Sequence, residues 1–287
     1  MTVLATERAP AKINLCLFLG PTRADGRHEL VTLFDSIELA DELEVAAAAA
    51  DEVVCEGVDG PNLVADALSA LRAIGWSAPP VRVRIRKRIP VAAGMGGGSA
   101  DAAAMLRLAP RLAPVAQGVI AVIAARLGAD VPAQLHPGPS LGTGAGEVLE
   151  VLPALAPYGV LVLPQPFALS TADVYREADR LGLARPADEL ARLRARLAAA
   201  LPEAIAPELM VNDLQPAALS LRPEIAGALD RARDAGADAA IVCGSGPTAI
   251  GIFRGPTGAD RARDAAARLA SAHAVAVAAP PIVRTHV

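Results

Sequence analysis

Four glycines lie within residues 94–98, in the segment PVAAGMGGGS at residues 90–99, which we call the glycine loop. A strand-like run at 81–85 precedes this loop, and an alanine-rich, helix-like run at 102–108 follows it. A turn that opens a helix presents free backbone N–H groups at the positive end of the helix dipole, which together bind phosphate. The glycine loop therefore predicts a phosphate or nucleotide site. A tight turn that serves only close strand–helix packing is the structural alternative.

Neither of the common phosphate-binding motifs is complete in the glycine loop. The G-x-x-x-x-G-K-[ST] pattern needs a lysine after its last glycine, where this chain has Ser99. The G-x-G-x-x-G pattern that starts at Gly94 fails at the same serine. A relaxed dinucleotide pattern occurs at residues 244–249, but it leads into a strand-like run and lies near the C-terminus, which argues against that interpretation.

The composition indicates a chain with a sizeable hydrophobic core and no general attraction to nucleic acid. The 287 residues are 53% hydrophobic and carry a formal net charge of −4. The cysteines, Cys16, Cys55 and Cys243, form no C-x-x-C pair, which is typical of a reducing compartment. We find no signal-peptide pattern and no apolar run of about 18 residues. We therefore expect a cytoplasmic protein that does not bind membranes.

Strands and helices alternate without a steady βαβ period, which favours an α+β fold over a doubly wound parallel sheet. Apolar alternation predicts strands at 12–19, 30–45, 81–89 and 158–163 and a hairpin at 239–253. Helical spacing with cap and stop signals predicts helices at 63–74, 102–108, 115–127, 225–235 and 259–272. Four prolines between 153 and 166 indicate a domain boundary, so we expect domains of residues 1–155 and 156–287.

Three segments in order resemble the superfamily of small-molecule kinases that contains galactokinase, homoserine kinase, mevalonate kinase and phosphomevalonate kinase. They are residues 9–15 (APAKINL), residues 90–104 (the glycine loop and the run after it) and residues 244–248 (GSGPT). The resemblance implies a two-domain kinase, with an N-terminal ATP-binding kinase domain and a C-terminal kinase domain. It also implies an active-site cleft between the two domains.

Further segments narrow the resemblance to the 4-diphosphocytidyl-2-C-methyl-D-erythritol kinase family. They are residues 24–30 (ADGRHEL), 128–132 (GADVP), 170–175 (STADVY) and 212–214 (NDL), and the similarity extends over residues 9–254. It implies that ATP, with Mg²⁺, phosphorylates the 2-hydroxyl of a cytidine-containing intermediate of non-mevalonate isoprenoid biosynthesis. The partner is then a small molecule, and we expect a monomer or a weak homodimer.

Lys12 and Asp130 are the catalytic residues that the resemblance implies. Asp130 would take the proton of the acceptor hydroxyl, and a base in that position contributes about 10²–10⁴-fold in rate. Lys12 would lie beside it and help to neutralise charge on the transferring phosphoryl group. The residue types alone leave structural roles open, because Asp130 precedes Val131-Pro132 and could cap a helix, and Lys12 could be an exposed strand end.

The resemblance also implies an ATP site built from the backbone of the glycine loop. The residues assigned to ATP are Pro90, Val91, Ala92, Ala93, Gly94, Met95, Gly96, Gly97, Gly98, Ser99 and Ala100, with Asn62 and Lys87 near the adenosine. Ser99 could contact Mg²⁺ through its hydroxyl, whereas Ala100 replaces a frequent serine and removes one such contact. The structural alternatives are a helix cap for Asn62, a strand-end charge for Lys87 and dipole compensation in the first helical turn for Asp101.

The residues assigned to the acceptor substrate are Asn14, His28, Thr171, Tyr175, Gly244, Ser245 and Gly246. By resemblance, His28 hydrogen-bonds the cytosine and Tyr175 stacks on it, as flat side chains do on bases. Asn14 and Thr171 would contact the erythritol or diphosphate part. The backbone of residues 244–246 would lie near the diphosphate, with a tight hairpin turn as its structural alternative.

Two other functions stay open at this point. One is another small-molecule kinase of the same superfamily, such as homoserine kinase or mevalonate kinase, and the segments at 25–29 and 128–132 argue against it. The other is a non-catalytic nucleotide-binding regulator that kept the glycine loop without turnover. The presence of both Lys12 and Asp130 argues against such a regulator.

Overall fold

The structure, a computed structural model, describes residues 2–58, 60–201, 205–270 and 277–278. Its strands are β1 (Val3–Thr22), β2 (His28–Ala47), β3 (Glu52–Cys55), β4 (Val81–Arg86), β5 (Ser140–Thr143), β6 (Val148–Val151), β7 (Tyr158–Leu163), β8 (Ala239–Val242), β9 (Ala249–Arg254) and β10 (Val277–Ala278). Its α-helices are α1 (Leu63–Ala73), α2 (Gly97–Leu112), α3 (Gln117–Leu127), α4 (Val131–Gln134), α5 (Thr171–Leu181), α6 (Ala187–Ala200), α7 (Gln215–Leu221), α8 (Ile225–Asp234) and α9 (Gly258–Ala270). A short 3₁₀ turn covers Pro207–Leu209.

The chain forms two compact units that are interleaved along the sequence. Unit 1 contains Met1–Lys12, Leu39–Pro90 and Gly96–Pro137, and unit 2 contains Ile13–Glu38, Val91–Met95 and Gly138–Val287. Both β1 and β2 are 20 residues long, several times the usual strand length, and each contributes to both units. A single cut of the chain does not reproduce these units, and the boundary at 155/156 stays a prediction.

In unit 1, α1, α2 and α3 pack against a sheet in which β4 lies between β3 and β2. Val83 of β4 lies opposite Val53 of the parallel strand β3 and opposite Val45 of the antiparallel strand β2. The alternating sequence VRVRIR puts the apolar residues of β4 into the core. The arginines point away from it and pair with acidic residues of the neighbouring strands and the turn after β3.

Helix α1 begins and ends where its local signals predict. The Asn62 side chain accepts a hydrogen bond from the backbone N–H of Val64 at 2.9 Å, which caps the first turn. Gly75 follows the helix with a φ of 80°, a left-handed conformation that suits glycine. Helix α2 is rich in alanine, and its buried small side chains lie in the core of unit 1. This packing fixes the N-terminus of α2, where the glycine loop ends.

Unit 2 contains an antiparallel sheet with the strand order β10-β7-β9-β8. Every residue of β7 is buried, and the predicted hairpin at 239–253 is present as β8 and β9. Helices α8 and α9 pack on this sheet. In a second cluster, α5 and α7 pack against β1 and the start of β2 through residues that include Leu19, Leu30 and Val174. That cluster brings α5 beside His28.

The predicted α+β class is confirmed, because adjacent strands are mostly antiparallel and each unit combines a sheet with helices. The predicted helix at 102–108 is the middle of the longer helix α2, which begins at Gly97. Within the described ranges, no helix is both long enough and apolar enough to cross a membrane.

Candidate active site

The glycine loop joins β4 to the N-terminus of α2. Gly96 precedes the helix with a φ of 64°, a left-handed conformation that favours glycine, and no described side chain caps this end. The first N–H groups of α2 therefore have no partner inside the helix. Together with the helix dipole they provide the anion-binding geometry that the sequence predicts for this loop.

Lys12 and Asp130 lie together at this end of α2, within unit 1. The Lys12 Nζ is 3.6 Å from Asp130 Oδ2. A Cβ added at Gly96 would be 3.1 Å from Lys12 Cγ, so the lysine stem lies directly against the glycine loop. Lys12 is 7% exposed, whereas the Asp130 side chain is 39% exposed. The ammonium group is thus held in place beside a carboxylate that solvent can reach.

Asp130 stands at the N-cap position of α4 but does not act as its cap. Its side chain makes no capping hydrogen bond, and its φ and ψ of −85° and −16° are helical, unlike the extended backbone of a typical capping residue. The helix-cap alternative for Asp130 is therefore not realised in the structure. Its carboxylate is available for chemistry, with Lys12 as its neighbour.

Gln134, at the end of α4, belongs to the same neighbourhood and was not predicted. Its side chain is 1% exposed, and neither its Nε2 nor its Oε1 has a hydrogen-bond partner within the described part of the chain. A Cβ at Gly96 would lie 3.7 Å from Gln134 Nε2. The four-residue spacing from Asp130 was the available signal, since it is the spacing of one helical turn.

Lys87 is held between two buried carboxylates. Its Nζ is 2.8 Å from Asp101 Oδ2 and also donates to Asp41 Oδ2. The other oxygen of Asp41 accepts the two backbone N–H groups that follow Lys87, at 2.5 and 2.8 Å. A Cβ at Gly97 would be 3.2 Å from Lys87 Nζ. This cluster, which we call the Lys87 triad, joins the chain after β4 to helix α2.

The electrostatics of the Lys87 triad follow from its burial. Burial raises the pKa of Asp101 to about 7, Lys87 lowers it and the nearby Asp41 raises it. Burial lowers the pKa of Lys87, but its two carboxylate partners outweigh that effect and raise it overall. Asp101 lies in the second turn of α2, because the helix starts at Gly97, so the first-turn dipole role suggested for it is wrong.

Asn62 and Lys87 thus both have structural partners. Asn62 caps α1, and Lys87 forms the triad. Their contact with adenosine stays a prediction. Within the described ranges, no group of three or more His, Cys, Asp or Glu side chains could hold a metal ion. Mg²⁺ that enters with a nucleotide needs only one or two protein ligands, so Ser99 stays the candidate.

In unit 2, helix α5 presents Thr171, Tyr175 and Asp179 at a spacing of four residues, which places them on one helix face. The Tyr175 ring is 5.6 Å from the His28 ring, with an angle of 31° between the ring planes. His28 Nε2 is 3.0 Å from Asp179 Oδ1. The structure therefore brings together both residues predicted to bind the base. It also places Asp179, which was not predicted, beside His28.

The turn at residues 244–246 lies against Gly94 of the glycine loop, also within unit 2. A Cβ at Gly94 would be 2.5 Å from the carbonyl oxygen of Gly246, so the two backbones approach closely only because Gly94 has no side chain. Ser245 Oγ is 2.9 Å from Thr171 Oγ1. The turn, Thr171 and the first half of the glycine loop therefore form one contiguous region.

Asn14 is more deeply buried than the other side chains predicted to bind the substrate. It is 1% exposed, and its Nδ2 donates to Thr32 Oγ1 at 2.7 Å, which in turn donates to the Cys16 carbonyl. This buried chain of hydrogen bonds gives Asn14 a structural role in unit 2. Its contact with a substrate stays a prediction.

Comparison with known proteins supports the kinase interpretation of this geometry. Residues 62–138 match the family model described as GHMP kinases N terminal domain, and residues 187–272 match GHMP kinases C terminal. A 4-diphosphocytidyl-2-C-methyl-D-erythritol kinase of Streptomyces avermitilis is 43% identical over 268 residues, which cover 89% of this chain and 90% of the relative. The chain belongs to the 4-diphosphocytidyl-2-C-methyl-D-erythritol kinase family.

Other members and related structures agree with this assignment. The family member of Mycobacterium tuberculosis is 41% identical over 292 residues, with 96% of this chain and 91% of the relative covered. A crystal structure of a 4-(cytidine 5′-diphospho)-2C-methyl-D-erythritol kinase has a TM-score of 0.77 at 35% identity, covering 96% of this chain and 99% of that one. The mevalonate kinase of L. major shares the fold. Its TM-score is 0.68 at 13% identity, covering 98% of this chain and 97% of that one.

Proposed function

We propose that this chain uses ATP to phosphorylate the 2-hydroxyl of 4-diphosphocytidyl-2-C-methyl-D-erythritol, a step of isoprenoid biosynthesis. The observation that carries the proposal is the position of the Lys12–Asp130 pair against Gly96, at the open N-terminus of α2. The names of relatives that are 41–43% identical over most of both chains support this choice of substrate.

Asp130 is the general base in this proposal. Its carboxylate is 39% exposed and uncommitted to helix capping, so it can accept the proton of the 2-hydroxyl as that oxygen attacks the γ-phosphorus. Lys12 Nζ, 3.6 Å away, stabilises negative charge on the transferring group. Phosphoryl transfer depends mainly on positioning and charge stabilisation, and this pair beside the glycine loop supplies both.

The glycine loop binds the triphosphate of ATP through the amides of Gly94 to Ser99. A Cβ at Gly96 would press on Lys12, and a Cβ at Gly97 would press on Lys87. Because these residues are glycines, the amides of the loop stay open to a phosphate. Mg²⁺ bound to ATP neutralises charge on the phosphates, and the Ser99 hydroxyl is the candidate protein ligand. The adenosine lies near Asn62 and Lys87.

The acceptor substrate occupies the region formed by α5, His28 and the turn at 244–246. Tyr175 stacks on the cytosine, and His28 contacts the base beside it. Thr171 and Ser245, whose hydroxyls are 2.9 Å apart, bind the diphosphate or erythritol part together with the backbone of residues 244–246. Asn14 contributes from the buried chain of hydrogen bonds described above.

The test supplies Mg-ATP and 4-diphosphocytidyl-2-C-methyl-D-erythritol and measures ADP release and the new phosphomonoester by ³¹P NMR. Homoserine and mevalonate serve as matched alternative acceptors. We expect stoichiometric ADP and product with the cytidine substrate alone. Turnover with homoserine or mevalonate instead would assign the chain to another kinase of the superfamily. ATP binding without turnover of any acceptor would assign it to a regulator.

We further propose that the enzyme works in the cytoplasm as a monomer or a weak homodimer. None of the three cysteines forms a disulfide bond within the described residues, and burial raises the pKa of the Cys16 thiol to about 12, so Cys16 is an unreactive core residue. Such cysteines suit a reducing compartment. Sedimentation at several protein concentrations measures the oligomeric state, and a tight oligomer at all of them would contradict this part.

A further inference from the structure

Asp179 is paired differently from the other acidic residues of α5. Asp173 and Glu177 each form an ion pair with an arginine three residues later on the same helix. Asp179 instead reaches His28, on β2, with its Oδ1 3.0 Å from His28 Nε2. Its second carboxylate oxygen has no hydrogen-bond partner within the described part of the chain, and the side chain is 55% exposed.

His28 is enclosed by protein groups at both of its ring nitrogens. Nδ1 is 3.0 Å from the carbonyl oxygen of Gly20, and Nε2 faces Asp179. The Gly20 backbone is fixed by close packing, because a Cβ there would lie 2.5 Å from Leu190 Cδ2 and 2.9 Å from the carbonyl oxygen of Glu29. His28 itself is 5% exposed. Each ring nitrogen of His28 thus has an oxygen atom 3.0 Å away, and the Asp179 carboxylate is the more exposed polar group of the His28–Asp179 pair.

We propose that Asp179 determines the specificity for cytosine by accepting a hydrogen bond from the exocyclic amine of the base, while His28 holds the carboxylate in place. This inference rests on the proposed function, which puts the base beside His28 and Tyr175. Thr171, Tyr175 and Asp179 then follow one face of α5 from the diphosphate end of the substrate to the base end.

A carboxylate at this position separates cytosine from uracil because an ionised carboxylate only accepts hydrogen bonds. Cytosine presents an amino group at C4, which donates to carboxylates in base recognition, whereas uracil presents a carbonyl oxygen at the same place. A carboxylate oxygen opposite that carbonyl would face another acceptor, and neither group could donate. A single contact, between an Asp179 oxygen and the group at C4 of the base, therefore favours cytidine substrates and disfavours uridine substrates.

The experiment compares the binding of cytidine 5′-diphosphate and uridine 5′-diphosphate by calorimetry, which needs no turnover. We expect the native chain to prefer the cytidine compound by about tenfold to a hundredfold, the range of one hydrogen bond to a charged group. Asp179→Asn removes the charge of the carboxylate and offers an amide NH₂ group that can donate to the carbonyl oxygen of uracil. The preference should fall at least about tenfold in this variant.

Asp173→Asn is the matched control, because it removes an acidic group of the same helix whose partner is Arg176. The preference should change by less than about twofold there, as surface substitutions do. An unchanged preference in Asp179→Asn, or equal losses for both nucleotides, would overturn the inference while leaving phosphorylation of the cytidine substrate intact. Loss of the preference in Asp179→Asn, in a chain that phosphorylates nothing, would support the inference and contradict the proposed function.

Discussion

Two lysine–aspartate groups lie against adjacent glycines of the same loop, and they differ in almost every physical respect. Lys12 lies against Gly96, and its partner Asp130 is 3.6 Å away and 39% exposed. Lys87 lies against Gly97, and its partners Asp41 and Asp101 have side chains that are 0% and 5% exposed. The first pair is loose and open to solvent, whereas the second group is tight and enclosed.

This difference in exposure and ion-pair geometry distinguishes a carboxylate that is available for reaction from carboxylates that stabilise the fold. Asp130 has a wide ion pair and no capping bond, so it keeps capacity to accept a proton. Asp41 bonds Lys87 and two backbone N–H groups, which uses its lone pairs to fix the chain between β4 and α2. Breaking a buried pair costs about 3–5 kcal/mol, whereas an exposed pair is worth about 0–1 kcal/mol.

The largest expected effect is on stability, from Lys87→Met. The change leaves two buried carboxylates without their cation, so the free energy of unfolding should fall by about 3–5 kcal/mol. Urea denaturation followed by circular dichroism measures it. The control is Arg84→Met, since Arg84 pairs with Glu56 on the surface and should shift stability by no more than about 0.5 kcal/mol. Native stability with weakened ATP binding would show instead that Lys87 acts on adenosine.

Lys12→Met should mainly affect the rate. Methionine keeps most of the stem that packs on Gly96 but removes the charge, so kcat should fall by about 10²–10³-fold, as when one stabilising donor is lost from a transition state. Stopped-flow measurement of product formation at saturating substrates gives this rate, and urea denaturation checks the fold. A normal kcat would place Lys12 with the structural group, and the contrast between the two lysines would disappear.

A smaller effect should appear in the pH dependence of stability through Asp101. Its pKa in the folded chain is raised to about 7, so between about pH 4 and pH 7 the folded state holds a proton that the unfolded state has lost. This contribution to stability is therefore lost as pH rises through that window, by at most about 1.4 kcal/mol per pH unit. Asp101→Asn should remove this slope.

Unfolding free energies measured from about pH 5 to about pH 7 test the Asp101 prediction. Carboxyl groups with lowered pKa values, such as Glu177 at about 2, act in the opposite sense and below this window, so they do not obscure it. Parallel curves for the native chain and the variant would show that Asp101 is ionised in both states. Both carboxylates of the Lys87 triad would then be charged in the folded chain.

Local signals predicted much of the fold, and long-range packing explains what they missed. Asn62 and Gly75 define α1, the alternation VRVRIR defines β4, and glycine and proline define the β8–β9 hairpin. The lengths of β1 and β2 were not predictable in this way, because each continues from one compact unit into the other. Strand β3 was missed because Glu52 follows an alanine-rich stretch with no alternation.

The candidate site divides in the same manner. The resemblance led to Lys12, Asp130 and the glycine loop, and the structure brings Lys12, Asp130 and Gly96 together in unit 1. Asp41, 46 residues before Lys87 in the chain, gave no local signal, since its partners are set by strand pairing. Asp179 looked like any acidic residue of an exposed helix, and only the packing of α5 against β1 and β2 reveals its contact with His28.

The most direct test of the account is the rate of phosphoryl transfer by Asp130→Asn in a single turnover with saturating Mg-ATP and the cytidine substrate. Asparagine keeps the shape of the side chain but cannot take the hydroxyl proton. The rate of this variant should lie about 10²–10⁴-fold below that of the native chain, with ATP affinity and unfolding free energy unchanged. Transfer at the native rate would contradict the assignment of Asp130 as the base.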